Sequence, residues 1–221
     1  LHDASAIILA LRDEPSLFQG MKYLSTLDGR PLISRVVDVA SSLSKEVLII
    51  APSEGEAQAL RDGIPPLPNE ALFVVGDSFG DGSELTMIET GLARSSYRKA
   101  LLLPGDAPFL SLEILTTMLD LCSGRDAVVP RSPIGEALPF PAVYATEKAL
   151  KALRASKIEK AMSMKGILEE LSHVMFLSSN VLSKLDSDLL TFYCVDSPLN
   201  LKRAELILSG KPRRFRARKF D

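Results

Sequence analysis

Two histidines, two cysteines and no tryptophan stand in this chain of 221 residues, and each shortage removes a class of chemistry. With only His2 and His173 available, a mechanism built on paired histidines is excluded, so acid–base or metal chemistry must rest on carboxylates. Cys122 and Cys194 each lie in an apolar stretch, which suits reduced core residues better than a disulfide or a zinc site. No apolar run approaches the length of a membrane span, and no basic segment followed by an apolar one opens the chain. The expectation is a cytoplasmic protein with no membrane partner. A net charge of −2 offers no global field for nucleic acid. The composition, 46% hydrophobic and 24% charged, is that of a globular protein with one core.

What is present is an alternation. Short apolar runs at "SAIILAL", "EVLIIA", "ALFVV", "KALLLP" and "DAVVP" read as strands covered on both faces. Between them "PLISRVVDVASSL", "GSELTMIETGLARSS" and "SLEILTTMLDLC" carry helical spacing, with Pro31 expected in a first turn and Ser83 and Ser111 as N-caps. The alternation argues for an α/β domain with a parallel sheet and helices on both sides. Further on, "FPAVYAT" and "LTFYCVD" read as strands. Helical runs are expected near 147–155 and 160–171, and "SPLNLKRAELILSG" as a closing helix. One domain over 1–209 is expected, followed by a basic tail over 210–221 that reads as a solvated terminus or as a phosphate or RNA contact.

Three aspartates follow directly on strand ends. In an open parallel sheet, ligands bind outside the carboxyl ends of the strands, so Asp106 in "LLLPGDAPFLS" is delivered to the binding edge. There it can bind Mg²⁺ or merely bond its own turn. Asp196 in "FYCVDSPLNL" has the same address, as a second carboxylate or as a helix cap. Asp77 in "FVVGDSFGDGSEL" lies among glycines, including Gly82, that allow close approach of a ligand to the backbone.

In order along the chain, these stretches resemble the nucleotidyltransferases related to molybdenum cofactor guanylyltransferase. Leu9-Ala10, Lys22 and "LDGRPLISRVV" resemble that family's opening signature, "LLLPGDAPFLS" its metal-binding segment, "ALPFPAVYAT" a segment near its acceptor, and "FYCVDSPLNLKRAE" its Asn-Ile-Asn-Thr-Pro stretch, with Asp196 in place of Asn. The resemblance implies a Rossmann-like three-layer sandwich with a mostly parallel mixed sheet, of the nucleotide-diphospho-sugar transferase type. It implies Mg²⁺ on Asp106 and Asp196. The nucleotide, GTP by the resemblance, would lie on Leu9, Ala10, Leu11, Gly20, Lys22, Asp77 and Gly82. Lys22, Asp106 and Arg12 would be catalytic, and the acceptor, molybdopterin or another phosphorylated small molecule, would meet Pro139, Tyr144 and Asp196. A monomer or homodimer is compatible with it.

The opening loop departs from the family. Leu11 and Arg12 stand where it has two glycines, and Gly20 is shifted. Side chains at close-approach positions block backbone contacts to phosphate, so Arg12 either compensates with a guanidinium fork or is a surface arginine. The alternatives to a guanylyltransferase are a cytidylyl- or sugar-phosphate nucleotidyltransferase, and a binding or regulatory protein that keeps the fold without turnover.

Overall fold

A computed structural model of the chain describes residues 1–11, 18, 21–65, 72–76, 82–158 and 164–210. Strand β1 (His2–Leu9) is followed by a 3-10 turn (Lys22–Leu24), a small hairpin of β2 (Thr26–Leu27) and β3 (Arg30–Pro31), helix α1 (Leu32–Leu43) and β4 (Ser44–Ala51). Then come α2 (Glu54–Gly63), β5 (Leu72–Gly76), α3 (Glu84–Arg94), β6 (Lys99–Pro104) and α4 (Leu112–Leu121). The remainder is β7 (Ala127–Pro130), β8 (Ala142–Ala145), α5 (Thr146–Ile158), α6 (Met164–Glu170), β9 (Val174–Leu177), the short α7 (Ser179–Leu182) and α8 (Pro198–Leu208).

Seven strands form one sheet in the order β5-β4-β1-β6-β8-β7-β9. Pairings are parallel except where β8 meets β6 and β7, so six strands run one way and β8 runs against them. Residues Ala4 to Leu9, Val47 to Ala51 and Ala100 to Leu103 are buried without a break. Consecutive burial in a strand means cover on both faces, and α1 packs beside α4 while α3 packs beside α5. The expected α/β sandwich is observed.

Local chemistry sets several joints. Asp28 and Gly29 both take positive φ, 54° and 73°, which a two-residue hairpin turn of the right twist demands. Ser111 and Ser197 cap α4 and α8 by accepting from Ile114 N–H and Asn200 N–H. Ser83 is at the N-cap position of α3, but its hydroxyl meets Thr86 Oγ1 at 3.1 Å instead of capping the backbone. Pro31 sits one residue earlier than expected, at the N-cap position of α1. At the amino-terminal edge of the sheet Glu46 accepts from Ser5 Oγ, from Ser96 N–H at 3.0 Å and from Ser96 Oγ at 2.7 Å. That carboxylate pins the α3–β6 connection to β1 and β4, the opposite end from the binding edge.

One expected strand is absent. "LTFYCVD" forms a 3-10 turn (Leu190–Phe192) after Leu189 at φ 52°, then an extended run that pairs with no strand. Its aromatic and β-branched residues resemble a strand because they are wholly or partly buried, but by side contacts: Tyr193 packs on Phe109 at 5.8 Å, and Val195 lies in a small cluster with Leu27, Leu32 and Ala204. The helix expected near 160–171 is described over Met164–Glu170, and the tail over 211–221 lies outside the described residues.

Close approach of α3 to the sheet requires Gly91, where an added Cβ would lie 2.5 Å from Ile7 Cγ2 and 3.3 Å from Ile50 Cγ1. Gly91→Ala is expected to destabilise the protein by about 1–3 kcal/mol through overpacking, read as a lower denaturant midpoint with unchanged slope.

Candidate active site

From β1 the chain winds outward to β4 and β5, then returns to place β6 on the other side of β1. The strand order therefore reverses between β1 and β6, and the crevice outside their carboxyl ends is the switch point at which such sheets bind ligands. The two ends are stitched together. Gly105 N–H donates to the Leu9 carbonyl at 3.0 Å, and Ala10 N–H donates to Ile50 at 2.9 Å. A Cβ at Gly105 would sit 3.0 Å from the Leu9 oxygen and 3.0 Å from the Tyr23 ring, so glycine permits this approach. Tyr23 in turn donates its hydroxyl to the Leu11 carbonyl at 2.8 Å.

These contacts fix the segments that carry charge. Lys22 Nζ lies 2.9 Å from Asp106 Oδ2, and their side chains are only 9% and 10% exposed. A pair so buried is screened little by salt, and each charge depends on the other. The Asp106 carbonyl accepts from Val195 N–H at 2.9 Å, which brings the run containing Cys194 and Asp196 alongside. Asp196 is not the cap of α8; Ser197 is, and the Asp196 carboxylate instead accepts from the Asn200 side-chain amide. Burial pushes the Cys194 thiol well above its ordinary range, the Asp106 and Asp196 charges add to this, and Lys22 opposes it. The thiol lies among all three groups and stays protonated. Composition pointed to reduced core cysteines, and both are free: Cys122 is buried, and Cys194 packs against the edge of the core beside the charged groups.

The other expected residues divide. Arg12, Gly20 and Asp77 lie outside the described residues. Leu9 and Ala10 are buried with backbone groups already bonded, so the Ala10 N–H is committed to the sheet and not to a phosphate. Gly82, at φ 76°, is packed against Pro52, whose carbonyl would be 2.8 Å from an added Cβ. Its freedom serves the joint between β4 and α3. Because β8 runs backwards, Pro139 precedes it at the same edge as Pro104, with Ala142 opposite Leu102. Tyr144, expected at the acceptor, is fully buried, and its hydroxyl donates to the Pro139 carbonyl at 2.9 Å.

Among the described residues no group of three or more His, Cys, Asp or Glu side chains is placed to hold a metal ion. Asp106 and Asp196, which both act on the Cys194 thiol, would offer a hard oxygen set of at most two carboxylates. Such a set fits Mg²⁺, which takes one or two carboxylates and fills its shell with phosphate oxygens and water, and does not fit a resident zinc.

The fold and this edge define an α/β protein of the nucleotide-binding kind. The sequence pattern of the MobA-like NTP transferase domain matches residues 13–174, and the chain belongs to that family. It is a nucleotidyltransferase. A probable molybdenum cofactor guanylyltransferase of Methanosarcina mazei is 23% identical over 90% of this chain and 88% of its own. The molybdenum cofactor guanylyltransferase of Desulfosudis oleivorans is 27% identical over 93% and 96%. The crystal structure of molybdopterin-guanine dinucleotide biosynthesis protein A from Archaeoglobus fulgidus superposes with a TM-score of 0.75 at 24% identity, covering 93% of this chain and 98% of that one, a likeness of fold.

Sequence reasoning passed over Glu84, the first residue of α3, which read as part of a helical run. It is half-buried, and burial raises its carboxyl above the ordinary 4.5. The folded state then holds the proton more tightly than the unfolded chain, so stability falls as pH rises from 4.5 through the raised value. Glu84→Gln is therefore expected to melt higher than the parent at neutral pH, with the difference vanishing below pH 4.5 in a thermal-melt series.

Proposed function

We propose that this protein is a molybdenum cofactor guanylyltransferase: it moves GMP from GTP to the phosphate of molybdopterin, releasing pyrophosphate, with Mg²⁺ as cofactor. The observation that carries this reading is the contact of Lys22 with Asp106 at the switch point, with Asp196 one residue beyond the Val195–Asp106 hydrogen bond. The names of the relatives support the base and the acceptor.

An oxygen of the acceptor phosphate attacks the α-phosphorus, the bond to the bridging oxygen of the β-phosphate breaks, and pyrophosphate leaves with the electron pair. The acceptor is already ionised near neutral pH, so no general base is needed, consistent with a site built without histidine. Asp106 and Asp196 would hold Mg²⁺, which when bound supplies charge neutralisation at the reacting phosphates. Lys22 stabilises the charge that develops on the departing pyrophosphate. Arg12 and Asp77 belong to the nucleotide side of this reading, and Pro139 to the acceptor side. Catalysis is positioning and electrostatics.

Pyrophosphate release measured against a panel of GTP, CTP, ATP and UTP, with molybdopterin and simpler phosphorylated acceptors, tests the reading. Release is expected with GTP and molybdopterin and to depend on Mg²⁺. Asp106→Asn and Lys22→Ala are each expected to lower kcat by about 10²–10³ with the far-UV CD spectrum unchanged, the scale for losing one electrostatic contact to a transition state. Undiminished turnover in Asp106→Asn refutes the assignment.

A further inference from the structure

Just past the carboxyl end of β7, Arg131 stands exposed with its guanidinium centred 4.0 Å over the ring of Phe176 on β9. Other arginines of the fold pair with carboxylates: Arg30 with Asp38, Arg61 with Glu54 and Arg154 with Glu89. Among the described residues Arg131 meets no carboxylate, and its side chain donates no hydrogen bond. We propose that Arg131, seated on Phe176, selects the acceptor by donating from its guanidinium to the carbonyl of the acceptor's flat pterin ring. This rests on the transferase reading and adds to it the far end of the acceptor site.

The sheet brings this residue to the binding edge. Strand β8 runs against both β6 and β7, so Arg131 leaves β7 at the edge where Asp106 leaves β6. Between them lies β8, which the chain enters from this edge after Pro139. Two strand spacings, about 10 Å, separate the ends of β6 and β7. That span suits a ring joined to its phosphate by a short arm, with the phosphate at Asp106 and the ring at Arg131. Side chains two apart in a strand share a face. The pairings Ala127–Tyr144 and Val129–Phe176 therefore put Arg131 on the same face as Phe176 and Tyr144.

Little has to be ordered when a ligand arrives. Arg131 N–H donates to the Leu177 carbonyl and Leu138 N–H to the Pro130 carbonyl, each at 2.8 Å. The loop beyond closes through Ser132 N–H to the Glu136 carbonyl at 2.8 Å and Gly135 N–H to the Ser132 carbonyl at 2.9 Å. Gly135 permits this turn with φ at 89°. Contact with the Phe176 ring holds the guanidinium by a cation–π attraction and leaves its N–H donors available. A charged donor facing a ring carbonyl favours acceptors that carry one by about 10–100-fold.

The test compares the full chain with Arg131→Gln and with Arg98→Gln. The second removes the same charge from an exposed residue just before β6, at the opposite edge. In steady-state pyrophosphate release, Arg131→Gln is expected to raise the KM for molybdopterin about 10–100-fold, with kcat and the KM for GTP unchanged. That split marks lost binding to a part of the substrate that does not react. Arg98→Gln is expected to match the parent. An unchanged KM for molybdopterin in Arg131→Gln, an equal rise in Arg98→Gln, or a rise in the KM for GTP overturns the proposal.

A direct measurement uses neopterin, which carries the ring carbonyl but no phosphate, in equilibrium dialysis read by its own fluorescence. Arg131→Gln is expected to bind it about tenfold or more weakly than the parent, while saturating GTP with Mg²⁺ leaves the parent's affinity undiminished. Equal affinities of parent and Arg131→Gln, no saturable binding by the parent, or displacement by GTP each overturn the proposal. If no acceptor supports pyrophosphate release, the transferase reading fails, while the neopterin comparison still decides the role of Arg131.

Discussion

The hydrogen bond from Gly105 N–H to the Leu9 carbonyl closes the gap between the two strand ends that face the crevice, and the charged groups take their places from it. It extends the β1–β6 ladder one step past Leu9 and Pro104 into the turn that presents Asp106. A side chain at Gly105 would press on the Leu9 oxygen and the Tyr23 ring, each 3.0 Å from an added Cβ. Because Tyr23 is anchored to Leu11, the same bond indirectly sets where Lys22 begins. Asp196 follows through the Val195–Asp106 bond. The end of β1 and the run through Val195 are thus tied to this turn by backbone hydrogen bonds, and the Lys22 segment is anchored through the Tyr23 hydroxyl to Leu11.

Burial explains why the cluster is more than a collection of surface charges. An exposed lysine–aspartate pair contributes little and is easily screened, as for Lys45 and Asp3 at the far end of β1, whose side chains are 48% and 77% exposed. The Lys22–Asp106 pair is enclosed and so is screened little by solvent. Glu46 shows the structural alternative at the amino-terminal edge: a buried carboxylate with both oxygens engaged by neighbouring hydroxyl and amide donors, and committed to the fold. A carboxylate serves architecture at one edge of the sheet and, in the proposed function, chemistry at the other.

The small hairpin and α8 form a second support beneath the site. Leu27 and Leu32 from the hairpin region, Val195 and Ala204 pack into a cluster of their own, with Phe109 and Tyr193 against it. This explains why the chain around Thr191 and Val195 is buried without being a strand: it is held by this cluster. Alternating and aromatic residues signal burial, and side contacts of this kind bury them as well as a ladder does.

The α/β class, most strand and helix positions, and the location of Asp106 and Asp196 just past apolar runs were determined by the sequence alone, because apolar runs between helical periods and Pro-Gly or Ser-Pro turns are local signals. The order β5-β4-β1-β6 and the meeting of Lys22 with Asp106 were decided only by the tertiary structure, since no local pattern reports which strand ends become neighbours. The same holds for Tyr144, whose buried ring supports Pro139, and for Cys194, which packs against the core while also feeling two carboxylates and an ammonium. Sequence distance sets periodicity, and long-range packing sets the electric environment; a side chain's chemistry depends on the second.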